Sequence, residues 1–202
     1  MTTSTTPGAT LTTPDTRPLL ARALDQAGRL VVSTDPVDGS RPTPCEDWDV
    51  TALTNHLLAV VHRIGAILNG ADPATLPRMI ESADADADWQ RERSATDAVL
   101  ATDDVLDRVV VVPWGTVTGW QAIGSYAGEL TTHAWDLAVA TGRTHELDAS
   151  LANAVLPGVM QYIPAERGEH IPFAPIVEVG TDATAYEQLV AWEGRDPNWQ
   201  PA

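Results

Sequence analysis

Gly128-Glu129-Leu130-Thr131-Thr132-His133-Ala134-Trp135-Asp136 sets a carboxylate and an imidazole four residues apart within a long periodic stretch. One helical turn takes about 3.6 residues, so Glu129 and His133 leave one face of a helix, one above the other. Two such ligands hold a divalent metal if a third comes from a neighbouring helix. Upstream, Thr118 and Gln121 form a capping-box pattern; downstream, Gly142 reads as the residue just past the helix end. The helix between them is about 35 Å long, enough to cross a small domain. Its inward stripe is Ile123, Tyr126, Leu130, His133, Ala134 and Leu137, with Glu129 in the middle.

Outward from that helix, the chain predicts three more long helices. Asp49 caps one that stops at Asn69-Gly70 and carries the stripe Leu53, Leu57, Val60, Ile64 and Leu68. His56 lies inside the stripe, whereas His62 is about 240° around and faces elsewhere. Another helix spans about Asp15 to Val32. A further one spans about Ala85 to Ala101, with Trp89, Ala95 and Val99 inward. Arg108 to Val112 is a short β-branched run closed by Pro113-Trp114-Gly115, an extended segment or one strand of a small hairpin. A helix from about Asp148 to Tyr162 is expected to be interrupted at Pro157-Gly158. A short helical piece follows near Ala183 to Trp192. The sum is an all-α chain: residues 1–13 a disordered tail, 14–163 an antiparallel four-helix bundle, and 164–202 an extra helix and irregular wrap on the same domain.

Composition narrows the chemistry. The 202 residues carry 12 basic against 28 acidic side chains, a formal charge of −16. That balance repels phosphate backbones and gives no help toward anionic membranes, so neither nucleic acid nor membrane is expected as partner. Every basic residue is arginine. Schiff-base chemistry on lysine, pyridoxal catalysis and a P-loop are therefore excluded. The single cysteine, Cys45, forbids an internal disulfide, and no apolar run reads as a signal peptide or a bilayer span. A cytoplasmic location is expected. The acidic run Asp84, Asp86 and Asp88 reads as a solvated helix start.

Metal sites in bundles are built from side chains projecting inward from facing helices, and His56, Glu129 and His133 qualify. Two imidazoles and one carboxylate suit zinc, and also nickel, iron or manganese; three protein ligands leave positions open for chemistry. A carboxylate in an apolar stripe is costly unless paired or metal-bound. Asp136 can share the face of His133 and orient it, or serve as a salt-bridge partner. Cys45 precedes a helix, where the dipole lowers a thiol pKa, yet a small buried thiol is the simpler reading. His62, His145 and His170 show no partner pattern. Trp48, Trp120 and Trp135 read as core anchors, since no basic groove accompanies them.

Thr43-Pro44-Cys45-Glu46-Asp47-Trp48-Asp49-Val50, followed by Leu53 and His56, resembles the metal-binding domain of the mycothiol-dependent maleylpyruvate isomerase family. Glu129 through His133-Ala134-Trp135-Asp136-Leu137-Ala138 to Thr141-Gly142 resembles that family's second motif. The close, Gly194-Arg195-Asp196-Pro197-Asn198-Trp199, is similar to that of an actinobacterial subfamily known for metal binding. The resemblance runs from about Leu19 to Trp199. It implies a DinB-like four-helix fold and His56, Glu129 and His133 as ligands, usually of zinc. It also implies mycothiol as a thiol cosubstrate acting on a small-molecule electrophile. No counterpart of the isomerase's separate C-terminal domain is present, and its substrate-binding arginines do not carry over; Arg91 and Arg93 stand as substitutes. The expected function is a thiol-dependent transferase or isomerase. A hydrolase using metal-bound water, with Asp136 as base, and a non-catalytic metal-binding protein are the alternatives. A homodimer is left open.

Overall fold

A computed structural model describes residues 13–168 and 171–201. Residues 1–12 of the expected tail, and His170, lie outside the described residues. The elements are α1 (Arg17–Val32), α2 (Val50–Leu68), α3 (Ala85–Leu100), β1 (Val109–Val112), β2 (Gly115–Thr118), α4 (Gly119–Ala140), α5 (Ala149–Tyr162) and α6 (Ala185–Trp192). The fold is mostly helical, as the periodicity predicts, and β1 and β2 form an antiparallel hairpin with Val112 opposite Gly115.

The first four helices pack in a ring, α1 against α4 and α3, and α2 against α3 and α4. Side-chain contacts give their directions. Thr16 donates to the Trp120 carbonyl at 2.8 Å, and Arg143 beyond α4 donates to the Leu30 carbonyl at 3.0 Å, so α1 and α4 run the same way. Just before α3, Ile80 N–H meets the Asn55 carbonyl near the start of α2, and Arg108 beyond α3 donates to the Leu68 carbonyl at the end of α2, so α2 and α3 also run together. The layers oppose each other, because Arg93 reaches back to Asp25 and Arg17 reaches Leu100. This order needs a long crossover. Residues 69–84 supply it by returning along α2, where Ile80 N–H donates to the Asn55 carbonyl at 3.0 Å.

The caps are local and sequence-driven. The Asp49 carboxylate accepts from Ala52 N–H at 2.8 Å and starts α2. Gln121 Oε1 accepts from the Thr118 N–H at 3.0 Å and from its hydroxyl at 2.9 Å, starting α4. Gly142, at φ 72°, ends α4 in the left-handed region that favours glycine. α4 is buried nearly all round by α1, α2, α5 and α6. It has no single inward stripe; Glu129 and His133 are among its half-buried positions.

Three expectations are corrected. Ala95 is exposed; Thr96 takes the inward place, lying so close to Gly65 that a Cβ there would come within 2.8 Å of its hydroxyl. α5 runs unbroken through Pro157, because Asn153, whose carbonyl loses its donor, faces solvent. α2 is, among the described residues, a helix long and apolar enough to cross a membrane by length and composition, against the reading that no such run exists. Here most of it is buried, as a core strut of the bundle.

Beyond α5 the chain folds back over α4 and α5. Trp192 donates its indole N–H to the Ile163 carbonyl at 3.0 Å, and Val177 N–H donates to the Ala191 carbonyl at 3.0 Å. Gly119, the first residue of α4, has no room for a side chain: a Cβ would fall 1.8 Å from the Val105 carbonyl oxygen. Overpacking against backbone cannot relax by rotamer change. Gly119→Ala is expected to cost about 2 kcal/mol or more, read as a lower urea midpoint at unchanged slope.

Candidate metal centre

The site forms where the start of α2 crosses the C-terminal half of α4. A tight loop sets it up: the Thr43 hydroxyl donates to the Trp48 carbonyl at 2.7 Å and accepts from Cys45 N–H at 3.1 Å. This curl carries Cys45 and Trp48 onto α4 immediately before Asp49 caps α2.

The structure brings His56, Glu129 and His133 together. One ligand atom from each lies within 4.8 Å of the other two. His56 Nε2 is 3.6 Å from Glu129 Oε1. Tetrahedral zinc with bonds of about 2.0–2.1 Å separates its ligands by roughly 3.4 Å, so that pair is already near the required span. The imidazole centroids are 5.0 Å apart, ring edge toward ring face. Side-chain exposures of 10, 13 and 26% for His56, His133 and Glu129 put the opening on the Glu129 side.

Outer contacts orient both rings. His56 Nδ1 is 3.2 Å from the Arg78 carbonyl, an obligate acceptor, so Nδ1 carries a proton and Nε2 is the nitrogen turned toward Glu129. His133 Nδ1 lies 2.9 Å from Asp136 Oδ2, which likewise leaves its Nε2 free. Two imidazole nitrogens and a carboxylate thus converge, a donor set that a divalent cation satisfies when both rings are neutral. Burial is the largest influence on His133 and pushes it below the usual histidine value, favouring the neutral ring a metal requires. Burial also pushes the Glu129 carboxyl upward, but the neighbouring His56, His133 and Arg63 outweigh it and hold it below the ordinary value.

Trp48 is half-buried and packs against the core, as expected, but it also faces the site. Its ring is tilted over His56 at 4.5 Å and over His133 at 5.9 Å, making it the apolar wall of the site. Trp135 is buried in the core and Trp120 is half-buried. Arg91 and Arg93 are taken up by carboxylates, Arg91 by Asp88 and Glu92, Arg93 by Asp25 and Asp97. His62 pairs with Glu92 on a different face of α2, and His145 is exposed beside Glu146.

Asp136 does both things its position allows. Its side chain is fully buried, oriented toward His133, and gripped by Arg195 through both oxygens at 2.8 and 2.9 Å. Burial alone would raise its pKa, but Arg195 and His133 bring it down to about 2. Arg195 is the site residue the spacing argument missed; its only sequence signal is the closing Gly194-Arg195-Asp196-Pro197 motif. Glu193 Oε2 accepts from Arg195 at 3.1 Å, and Glu193 Oε1 accepts from the Thr132 hydroxyl at 3.0 Å.

Cys45, His133 and Asp136 form a second cluster of ligand-type atoms. There the Arg195 guanidinium already lies 3.9 Å from Cys45 Sγ and on both Asp136 oxygens, so a further cation would meet a fixed positive charge. Cys45 donates to Asp136 Oδ2 at 3.3 Å. Burial first, then the Asp136 charge, push its thiol up to about 12, the reverse of the helix-dipole expectation. It is an inert thiol at neutral pH.

Two outcomes follow from these charges. Asp136→Ala leaves Arg195 buried without its main partner and is expected to cost about 3–5 kcal/mol, measured by chemical denaturation. Burial raises Glu193 from 4.5 to about 7 in the folded chain, so folding favours its protonated form. Its stabilising contribution is complete below the unfolded value and is lost as pH rises through about 7. Glu193→Gln is therefore expected to flatten the decline in unfolding free energy between pH 5 and pH 8, values of the order set by that shift.

The mycothiol maleylpyruvate isomerase N-terminal domain family matches residues 20–138, which contain all three converging residues. Two relatives from Mycobacterium tuberculosis, uncharacterized proteins MT0763 and Rv0738, are each 29% identical over 182 residues, covering 88% of this chain and 97% of the relative. Among solved structures, the mycothiol-dependent maleylpyruvate isomerase and a mutant of it match with a TM-score of 0.43 and 15% identity. That match covers 63% of this chain and 61% of the isomerase, so the chain spans less than two thirds of the isomerase's length. With a matched segment of more than half its length, the chain belongs to the mycothiol maleylpyruvate isomerase N-terminal domain family.

Proposed function

We propose that His56, Glu129 and His133 hold a divalent metal, zinc in the first instance, in a mycothiol-dependent transferase or isomerase. The enzyme acts in the cytoplasm on a small-molecule electrophile. The observation that carries this reading is the convergence of two imidazole nitrogens and a carboxylate within 4.8 Å, each ring turned by its own outer partner. Family membership supports mycothiol as the thiol. A metal held by His56, Glu129 and His133 would supply the positive charge that favours the thiolate form of a bound thiol.

The chain's own residues do the rest. The Arg78 carbonyl and Asp136 keep a proton on each Nδ1, and so keep each Nε2 available. Trp48 walls off water from one side of the rings, which strengthens every charge interaction there. Among the described residues, the thiol beside the triad, Cys45, is pushed up to about 12 by burial and is a poor nucleophile at neutral pH. That supports an external thiol as the attacking group. The hydrolase alternative needs a general base, and Asp136 is poorly suited: held at about 2, with both oxygens engaged, it has little tendency to accept a proton.

The purified protein is expected to contain a stoichiometric divalent metal, lost in His56→Ala and in His133→Ala with the helical content retained. Elemental analysis and circular dichroism check both. Mycothiol is expected to raise the melting temperature of the metal-loaded protein and not of the two variants. Metal content unchanged by both substitutions, or an equal mycothiol shift in all three proteins, would refute the reading.

A further inference from the structure

We propose that Arg195 is a positioning residue of the metal centre, delivered from outside the family domain, which fixes Asp136 so that Asp136 fixes the ring of His133. The proposal deepens the metal reading above, but its geometry stands without it. Four contacts form one chain: Thr132 hydroxyl to Glu193 at 3.0 Å, Glu193 to Arg195 at 3.1 Å, Arg195 to Asp136 at 2.8 and 2.9 Å, and Asp136 to His133 Nδ1 at 2.9 Å. The chain begins and ends on adjacent residues of α4, Thr132 and His133. The C-terminal segment therefore closes a loop of polar contacts around the turn of α4 that carries His133.

The local backbone is built to deliver this arginine. Glu193 caps α6 and Gly194 follows at φ 86°, where a side chain is strained. A Cβ on Gly194 would also sit 2.6 Å from the Ala174 carbonyl oxygen and from the Ala174 Cβ. The chain thus turns sharply between Glu193 and Arg195, and both side chains reach α4. Arg195 has only 15% of its side chain exposed, Glu193 6% and Asp136 none.

A buried ion-pair chain of this kind is a poor device for stability, because desolvation offsets most of the attraction. What it does well is geometry. The planar fork of arginine grips both carboxylate oxygens and sets the plane of Asp136. One Asp136 oxygen is then aimed at Nδ1, which selects the tautomer of His133 with its Nε2 lone pair toward Glu129 and His56. Residues 20–138 hold all the converging ligands, yet the group that locks one of them comes from residue 195.

The test measures zinc affinity by competition with a chromophoric chelator, on the full chain, for wild type, Arg195→Met, Arg195→Lys, Asp136→Asn and Arg195→Met/Asp136→Asn. Losing an outer partner of a ligand histidine costs about 10–100-fold in metal affinity, and that loss is expected for Arg195→Met. Arg195→Lys keeps the charge without the fork and is expected to lose less. Because the arginine acts through Asp136, Arg195→Met is expected to add less than about twofold in the Asp136→Asn background. A merely structural arginine would lower stability while leaving affinity within about twofold, or would add the same factor in both backgrounds; either result overturns the proposal. Ring nitrogen shifts of His133 in the metal-free protein give a readout independent of metal. The Nδ1-protonated form is expected in wild type and a mixed population in Arg195→Lys. An unchanged His133 tautomer in Arg195→Lys overturns the proposal, including where Arg195→Met does not fold. If wild type binds no zinc, the metal reading falls and the nitrogen shifts alone decide for or against the relay.

Discussion

Two imidazoles and two carboxylates inside a helical bundle must all be compensated, and the way this chain compensates them governs the rest of the structure. Asp136 has no exposed surface, and an uncompensated carboxylate there would be prohibitive. Arg195 supplies the opposite charge and His133 the second hydrogen bond. With Asp136 satisfied, His133 is turned outward from α4 toward Glu129 and His56. Within the triad, His56 Nε2 lies 3.6 Å from Glu129 Oε1, and the three ligand-type groups stay close enough to share one cation.

The topology exists to make that convergence. α1 and α4 run one way and α2 and α3 the other, so α4 lies against α2 head to tail. The first turns of α2 therefore meet the last turns of α4, and His56 meets Glu129 and His133. The long crossover between α2 and α3 returns along α2, and its Arg78 carbonyl faces His56 Nδ1. The Cys45–Trp48 curl roofs the same point from the other side. Two connections that look like plain loops in the sequence, residues 33–49 and 69–84, thus reach the candidate site.

Much of this was legible in the residues. The spacing of Glu129 and His133 follows from the helical period, and His56 stands out as a polar residue in an apolar stripe. Asp49, Thr118 and Gly142 mark helix ends because capping is a contact within one turn. Trp48 packs against the core as expected, but its second place over the two imidazoles was not legible, since an aromatic beside a core and an aromatic over a site look the same in sequence. Ala95 was misplaced because one residue is about 100° on a helix, and an alanine–threonine pair gives little to choose between. Arg195 was out of reach of any spacing rule, lying 59 residues from the carboxylate it grips.

The sequence by itself determined what is local: the helices, their caps, the shared face of Glu129 and His133, and, with no lysine in the chain, the exclusion of lysine-based chemistry. Only the tertiary structure decided that His56 meets that pair, that Trp48 covers it, that the Cys45 cluster is already occupied by a guanidinium, and that a C-terminal arginine completes it. The reason is physical. Periodicity fixes directions within one helix, whereas the meeting of two helices and a returning tail depends on which buried faces and charges satisfy one another once the whole chain has packed.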